Sequence, residues 1–214
     1  PDATEVSAAE EIKRLVSVLP KLKRENVSLS IDSPKIKTQS FAINEQVEFL
    51  NDISGFPEPS FYPSLAQSNC KLILMHNIHQ QAKASRDEVS SEDILERVCD
   101  FFFNRIEQLI AGGIARSRII LDPGMGFFLG PKPESSVLIL KGIQHLKARF
   151  ELPILISVSR KSFLQTMVEG TVDNIAGATL AAELFAISQG ADYIRTHDVK
   201  ALRQVLTVFH DGRL

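Results

Sequence analysis

Cysteine is scarce in this chain of 214 residues, with only Cys70 and Cys99. They form no CxxC or other ligand-like spacing, which excludes a disulfide framework and a thiolate metal site and fits a reducing compartment, by default the cytoplasm. An excess of one charge is missing too: 24 basic residues stand against 26 acidic ones, with a net charge of −2 and no long basic run. That balance leaves no electrostatic footprint for nucleic acid. No apolar run approaches a membrane span, and no basic-then-apolar segment resembles a signal peptide. Low-complexity stretches and solenoid periods are absent as well.

What remains is a well-mixed sequence, 44% hydrophobic, long enough to bury one sizeable core. Its expected organisation is a single domain over residues 1–214. Strand-like runs alternate with helical ones throughout. "TEVSAAEEIKRLVSVLPKLKRE" opens on a capping box, Ser7 with Glu10, and reads as a helix bent or ended near Pro20. "VSLSID" is strand-like, and Ser33 followed by Pro34 is the pattern of an N-cap with proline at the first helical position. Strands follow in "QVEFLND", "KLILMH", "RIILD", "PILISVSRKS" and "DYIRTHD". Between and after them, helices are expected in "SSEDILERVCDFFFNRIEQLIAGG", "SSVLILKGIQHLKARF", "NIAGATLAAELFAISQG" and "VKALRQVLTVFH".

Six strands alternating with helices imply a parallel sheet with right-handed crossovers. An open doubly wound sheet and a closed (β/α)8 barrel are the two candidates. The polar residues discriminate between them. Asp32, Asn51, His76, Asp122 and the group Ser159, Arg160 and Lys161 each follow an apolar run, and the sixth strand carries Arg195, His197 and Asp198. A barrel gathers every strand's C-terminal end at one mouth, whereas an open sheet concentrates ligand groups at one switch point. The barrel is therefore favoured, with about six of eight units present. Helix capping competes for some of these side chains, for Ser33 above all and for Asp198.

"IILDPGMGFFLG" poses the sharpest chemical question, because Asp122 ends a buried run where an uncompensated charge is costly. Proline and glycine after it make a turn; the carboxylate needs a partner with N–H donors, and Phe127 or Phe128 offers an apolar wall. Acids suit amino and ring N–H groups, and bases such as Arg160, Lys161 and Arg195 suit phosphate or carboxylate. A heterocycle bearing phosphate satisfies both. Rival motifs are weaker: His76 and His79 have H-x-x-H spacing, "DPGMGFFLG" fits neither G-x-G-x-x-G nor a P-loop, and Ser159 and Ser162 lack the G-x-S-x-G elbow. His145 and His210 lie in helical stretches and read as structural.

In order, "SIDS", "FLNDISG", "LMH", "LDPGMGF", "SVSRKSF" and "IRTHDV" resemble the motifs of dihydropteroate synthases, the pterin-binding barrel enzymes of folate synthesis. The resemblance runs from Pro1 to the C-terminal helix. It implies a TIM-barrel-type fold and the joining of 6-hydroxymethyl-7,8-dihydropterin pyrophosphate to p-aminobenzoate with release of pyrophosphate. It also implies Mg²⁺, a homodimer, and neither a nucleic-acid nor a membrane partner. Position by position, it assigns the pterin to Asp32, Asn51, Met75, Asp122, Phe127, Lys161 and Arg195, p-aminobenzoate to Arg160 and Ser162, and the pyrophosphate to Arg195 and His197. Lys161, Arg195, His197 and Asp122 are the implied catalytic set.

The family also has two further strand units, with a metal-proximal Asn, ahead of the position of Pro1. A longer natural chain is therefore expected, and no metal ligand is identifiable in these residues. Phe128 and Leu129 stand where the family commonly has Gly-Lys, and His79 where it usually has Gly. A pterin-dependent methyltransferase and a pterin-binding paralogue without turnover are the alternatives.

Overall fold

A computed structural model describes residues 6–78 and 93–210. Among them six short strands alternate with helices, and the chain divides into two compact units. The first comprises Pro1–Met75 and Asn104–Ile119, the second His76–Phe103 and Ile120–Leu214.

In the first unit, β1 (Ser30–Asp32), β2 (Phe49–Asp52) and β3 (Lys71–Met75) run parallel, with Asp32 opposite Asn51 and Asn51 opposite Ile73. Helices α1 (Ala8–Arg24), α2 (Ile36–Asn44) and α3 (Tyr62–Gln67) connect or flank them, and α4 (Ile94–Ala111) contributes its C-terminal half. Leu50, Leu65, Leu72, Leu74 and Leu109 are fully buried here. A parallel strand covered on both faces needs such continuous apolar runs.

Two expectations at the N-terminal end are corrected. Helix α1 does not end near Pro20, the second of the two alternatives, but continues through it to Arg24. The carbonyl that Pro20 deprives of a donor belongs to Val16, which is 55% exposed and can bond water instead. Ser33 is not the cap of α2, which begins three residues later with Lys35 at the cap, although Ser33 Oγ accepts the Lys35 N–H at 3.2 Å. Its hydroxyl donates to Glu11 on α1 at 2.7 Å, alongside Lys35 Nζ at 2.7 Å and Thr38 Oγ1 at 2.6 Å. Burial alone raises the Glu11 carboxyl, but these donors outweigh it and hold the group below its usual range.

Arg118 locks the turn after α3. Its Nε donates to the Cys70 carbonyl at 2.8 Å, and Nη2 reaches the Leu65 carbonyl at 2.9 Å and Ser68 Oγ at 2.9 Å. A cation at a helix C-terminus meets both the orphan carbonyls and the negative end of the dipole. Arg118→Ala should lower unfolding stability by about 2 kcal/mol, with Arg118→Lys recovering only part of it, as urea denaturation will measure.

In the second unit, β4 (Ile119–Asp122) has all four residues buried. The His76 N–H donates to the Asp122 carbonyl at 2.8 Å, and the Leu121 N–H to the Pro153 carbonyl at 2.8 Å. Strand β5 (Leu155–Ile156) pairs in parallel with β6 (Tyr193–Ile194). Both are far shorter than their sequence runs suggest. The ladder ends where the Arg195 N–H meets the Ile156 carbonyl at 3.0 Å, because Arg160 then turns the chain with φ of 59°.

Helices α5 (Pro133–Lys141), α6 (Ile143–Phe150), α7 (Ser162–Met167), α8 (Ala176–Ser188) and α9 (Val199–His210) complete this unit. The single helix expected over 135–150 is two, broken at Gly142, where an added Cβ would lie 2.8 Å from Leu95 Cδ1. The poor helix propensity of glycine favours a break here, and the close approach of Leu95 leaves no room for a Cβ. Asp198 does cap α9, accepting from the Ala201 N–H at 2.9 Å. Phe102 and Phe150 meet edge to face at 5.8 Å within the unit's core.

Candidate active site

Within the first unit, the ends of β1, β2 and β3 carry Asp32, Asn51 and Met75. Asp32 is exposed, whereas Asn51 and Met75 are buried. Two polar neighbours on β2 differ sharply. Asp52 is satisfied inside the fold, accepting from the Ser54 N–H at 2.7 Å, Gln39 Nε2 at 3.0 Å and the Phe56 N–H at 3.2 Å. Burial nevertheless raises its pKa. Asn51 Oδ1 has no hydrogen-bond partner among the described residues, which makes it an acceptor in want of a donor.

In the second unit, Asp122 is 2% exposed at the end of β4, and its Oδ1 accepts the Gly124 N–H at 2.8 Å. The turn after it depends on glycine. Gly124 has φ of 74°, and a Cβ there would sit 2.6 Å from the His76 carbonyl oxygen. This geometry carries the chain into a 3-10 turn, Gly126–Leu129, which leaves Phe127 59% exposed. Lys161 Nζ stands 4.8 Å from the Phe128 ring centroid, a cation-π distance. The Lys161 stem and Ser162 Oγ also face Gly126, at 3.5 Å and 3.7 Å from where its Cβ would be. So the turn after Asp122 and the start of α7 form one cluster.

A second cluster surrounds His197. Its backbone N–H and ring Nδ1 lie 3.2 Å and 2.9 Å from Ser159 Oγ. Ser159, Arg160, Thr179, Glu183, His197 and Asp198 line a cavity of about 180 Å³. Arg160 thus borders the His197 cavity while Ser162 faces Gly126; the two residues assigned to p-aminobenzoate line different clusters. Arg195 is exposed beyond β6.

Glu183 is the residue that sequence reading missed. It is fully buried on α8, with no hydrogen-bond partner of good geometry for either oxygen among the described residues. Burial raises its pKa, Thr196 nearby tempers the rise, and the Asp198 charge adds to it. The available signal was a lone acid in the otherwise apolar run "TLAAELFAI". His76 is fully buried behind Asp122, its Nδ1 3.2 Å from the Pro123 carbonyl and its ring edge-on to Phe101 at 5.2 Å. His79 lies outside the described residues.

The profile of the family described as pterin binding enzyme matches residues 1–197. The chain belongs to the pterin-binding enzyme family. It is 48% identical over 208 residues to the dihydropteroate synthase type-3 of Escherichia coli, covering 97% of this chain and 79% of that one. It is 32% identical to the dihydropteroate synthase of Streptococcus pyogenes, covering 95% and 74% of the two chains. Among solved structures, the Anaplasma phagocytophilum dihydropteroate synthase with bound 6-hydroxymethylpterin-monophosphate has a TM-score of 0.87 and 32% identity, covering 98% of this chain and 83% of that one. The Xanthomonas albilineans dihydropteroate synthase with 4-aminobenzoic acid has a TM-score of 0.88 and 27% identity, covering 100% and 75%.

These likenesses put this pterin-binding enzyme in the TIM-barrel class, as the polar strand ends favoured and the family resemblance implied. Family membership also gives meaning to the strand ends. In parallel α/β folds, ligand groups collect at the C-terminal ends of strands, and Asp122, Ser159 and Arg195 all follow such ends.

Proposed function

We propose that the protein is a dihydropteroate synthase, a transferase joining 6-hydroxymethyl-7,8-dihydropterin pyrophosphate to p-aminobenzoate. The reading rests on one observation above the others: a buried carboxylate, Asp122, terminates β4 next to a glycine-shaped turn in a chain nearly half identical to named dihydropteroate synthases. It takes residues 1–214 as a single pterin-binding domain.

In this reading Asp122 accepts hydrogen bonds from the amino-pyrimidinone edge of the pterin, and the family resemblance assigns Asp32, Asn51, Met75, Phe127 and Lys161 to the same ring. The bare Asn51 Oδ1 supports its share, since a pterin N–H satisfies it. Arg195 and His197 receive the pyrophosphate, and Arg160 and Ser162 receive p-aminobenzoate. The C–O bond to the pterin methylene breaks with its electron pair passing to the pyrophosphate, while the amine nitrogen forms the new C–N bond and then loses a proton. Cationic groups preorganised at the leaving oxygens lower that barrier without a protein nucleophile.

Mg²⁺, if bound, would supply neutralisation of the charge that develops on the leaving pyrophosphate. Among the described residues no three acidic, histidine or cysteine side chains gather to hold a metal. The two free, buried cysteines agree with a cytoplasmic setting, and among the described residues no helix is long and apolar enough to cross a membrane.

The homodimer has a candidate face. Leu140, Phe163, Met167, Val168, Ala181 and Phe185 line an apolar groove on α5, α7 and α8, with Met167 55% and Phe185 40% exposed. Exposed apolar surface of this kind is suited to a second copy. Phe185→Glu should convert a dimer to monomer in size-exclusion chromatography with light scattering; an unchanged mass would remove this face from the interface.

The deciding experiment is pyrophosphate release from the pterin pyrophosphate with Mg²⁺, with and without p-aminobenzoate. Release dependent on p-aminobenzoate establishes the synthase. Tight pterin binding without release, in folded protein, would instead identify a binding paralogue.

A further inference from the structure

His197 and Ser159 are 38 positions apart, yet the serine hydroxyl makes two contacts with that one residue. A backbone N–H can only donate, so the 3.2 Å contact from His197 N occupies one lone pair of Ser159 Oγ. The ring contact, Nδ1 to Oγ at 2.9 Å, then has two possible senses. Either Nδ1–H donates to the second lone pair, or the hydroxyl proton goes to an unprotonated Nδ1.

The surroundings decide between them. Ser159 is 5% exposed, and its hydroxyl has no hydrogen bond other than those to His197 among the described residues. If Nδ1 carried the proton, the hydroxyl hydrogen would have no protein acceptor among the described residues and only the adjoining cavity to turn to, whereas donation to Nδ1 gives it a partner at 2.9 Å. With the hydroxyl donating to Nδ1, every group is satisfied and the imidazole proton sits on Nε2. That nitrogen points away from the serine, on a residue that is itself exposed.

We propose that Ser159 is a positioning residue that holds His197 as an oriented Nε2–H donor toward an anionic oxygen. The inference deepens the reading of His197 as a pyrophosphate ligand and rests on it for its catalytic consequence, but not for the tautomer itself. The same hydroxyl ties the segment after β6 to the end of β5. Strand β6 has only two residues, and neither is buried, so little else in the ladder fixes where His197 stands. A ring turned about χ2 would present its acceptor nitrogen to the phosphate, and the interaction would become repulsive.

Side-chain ¹⁵N spectra of the free protein, at a pH where histidines are neutral, test the first part. The wild type should show the His197 proton on Nε2 and a hydrogen-bonded Nδ1. In Ser159→Ala the Nδ1 signal should move toward that of a free ring, and Ser159→Thr, which keeps the hydroxyl, should restore it. A wild-type proton on Nδ1, or spectra indifferent to Ser159→Ala, would overturn the proposal.

Steady-state kinetics test the second part. Ser159→Ala should raise KM for the pterin pyrophosphate about five- to tenfold and leave KM for p-aminobenzoate unchanged, with Ser159→Thr recovering most of the loss. An altered ring signal with an unchanged pterin pyrophosphate KM would uphold Ser159 as the positioning residue and overturn the pyrophosphate role of His197. The two failures are thus distinguishable.

Discussion

Asp122→Asn should weaken binding of 6-hydroxymethylpterin about a hundredfold or more, as titration calorimetry will measure, and leave the fold intact. The argument is one of charge and hydrogen-bond count. A carboxylate offers two acceptor oxygens, and hydrogen bonds to a charged group contribute about 1.5–3 kcal/mol each. Asn keeps one oxygen, which can still accept the Gly124 N–H now bonded to Oδ1 at 2.8 Å, so the turn survives. Its other end is an NH₂ donor, which meets the pterin's amino and ring N–H groups donor to donor. Loss of one charged acceptor and creation of one clash together amount to at least about 3 kcal/mol, or two decades in affinity. Unchanged affinity with an unchanged melting temperature would remove Asp122 from the site.

The second large effect is on stability against pH. His76 is fully buried, and burial drives its pKa down from 6.5 to about 4, with the Pro123 carbonyl opposing the shift weakly. A carbonyl requires a donor, so Nδ1 carries the proton of the neutral ring, and Nε2 has no partner among the described residues. Protonating Nε2 would place a buried charge beside Phe101 with no hydrogen-bond partner among the described residues.

A histidine depressed in the folded state binds fewer protons there than when unfolded between the two pKa values. Its stabilising contribution is therefore complete above about pH 6.5 and is lost as pH falls toward and through about 4. The shift corresponds to about 3 kcal/mol. Histidine NMR titration should find His76 neutral down to about pH 5, and urea unfolding should show the loss between pH 6.5 and 4. A titration midpoint near 6.5 for His76 would contradict its burial.

How much of this was legible beforehand depends on the range over which each cause acts. Helix and strand types follow from apolar periodicity and local capping, so the order of elements was readable, as were the Ser7 cap of α1 and the Asp198 cap of α9. The polar strand ends stood out too, because Asp122 and Asn51 interrupt apolar runs that local propensity alone would extend. With the family resemblance those runs also pointed to the TIM-barrel class.

What local rules could not reach were partners far apart in the chain. Glu11 takes the Ser33 hydroxyl proton, Leu95 packs where Gly142 has no Cβ, and Gln39 helps to satisfy Asp52 while the adjacent Asn51 keeps a bare oxygen. Ser159 and His197 are each unremarkable in sequence; only the fold sets one hydroxyl against both the backbone and the ring of the other. The burial of Glu183 is likewise a property of what packs around α8. Periodicity and capping are written within a few residues, so the sequence by itself determined the elements and their order. Hydrogen-bond satisfaction and desolvation depend on neighbours dozens of residues away, so only the tertiary structure decided which polar groups are already spent and which still await a partner.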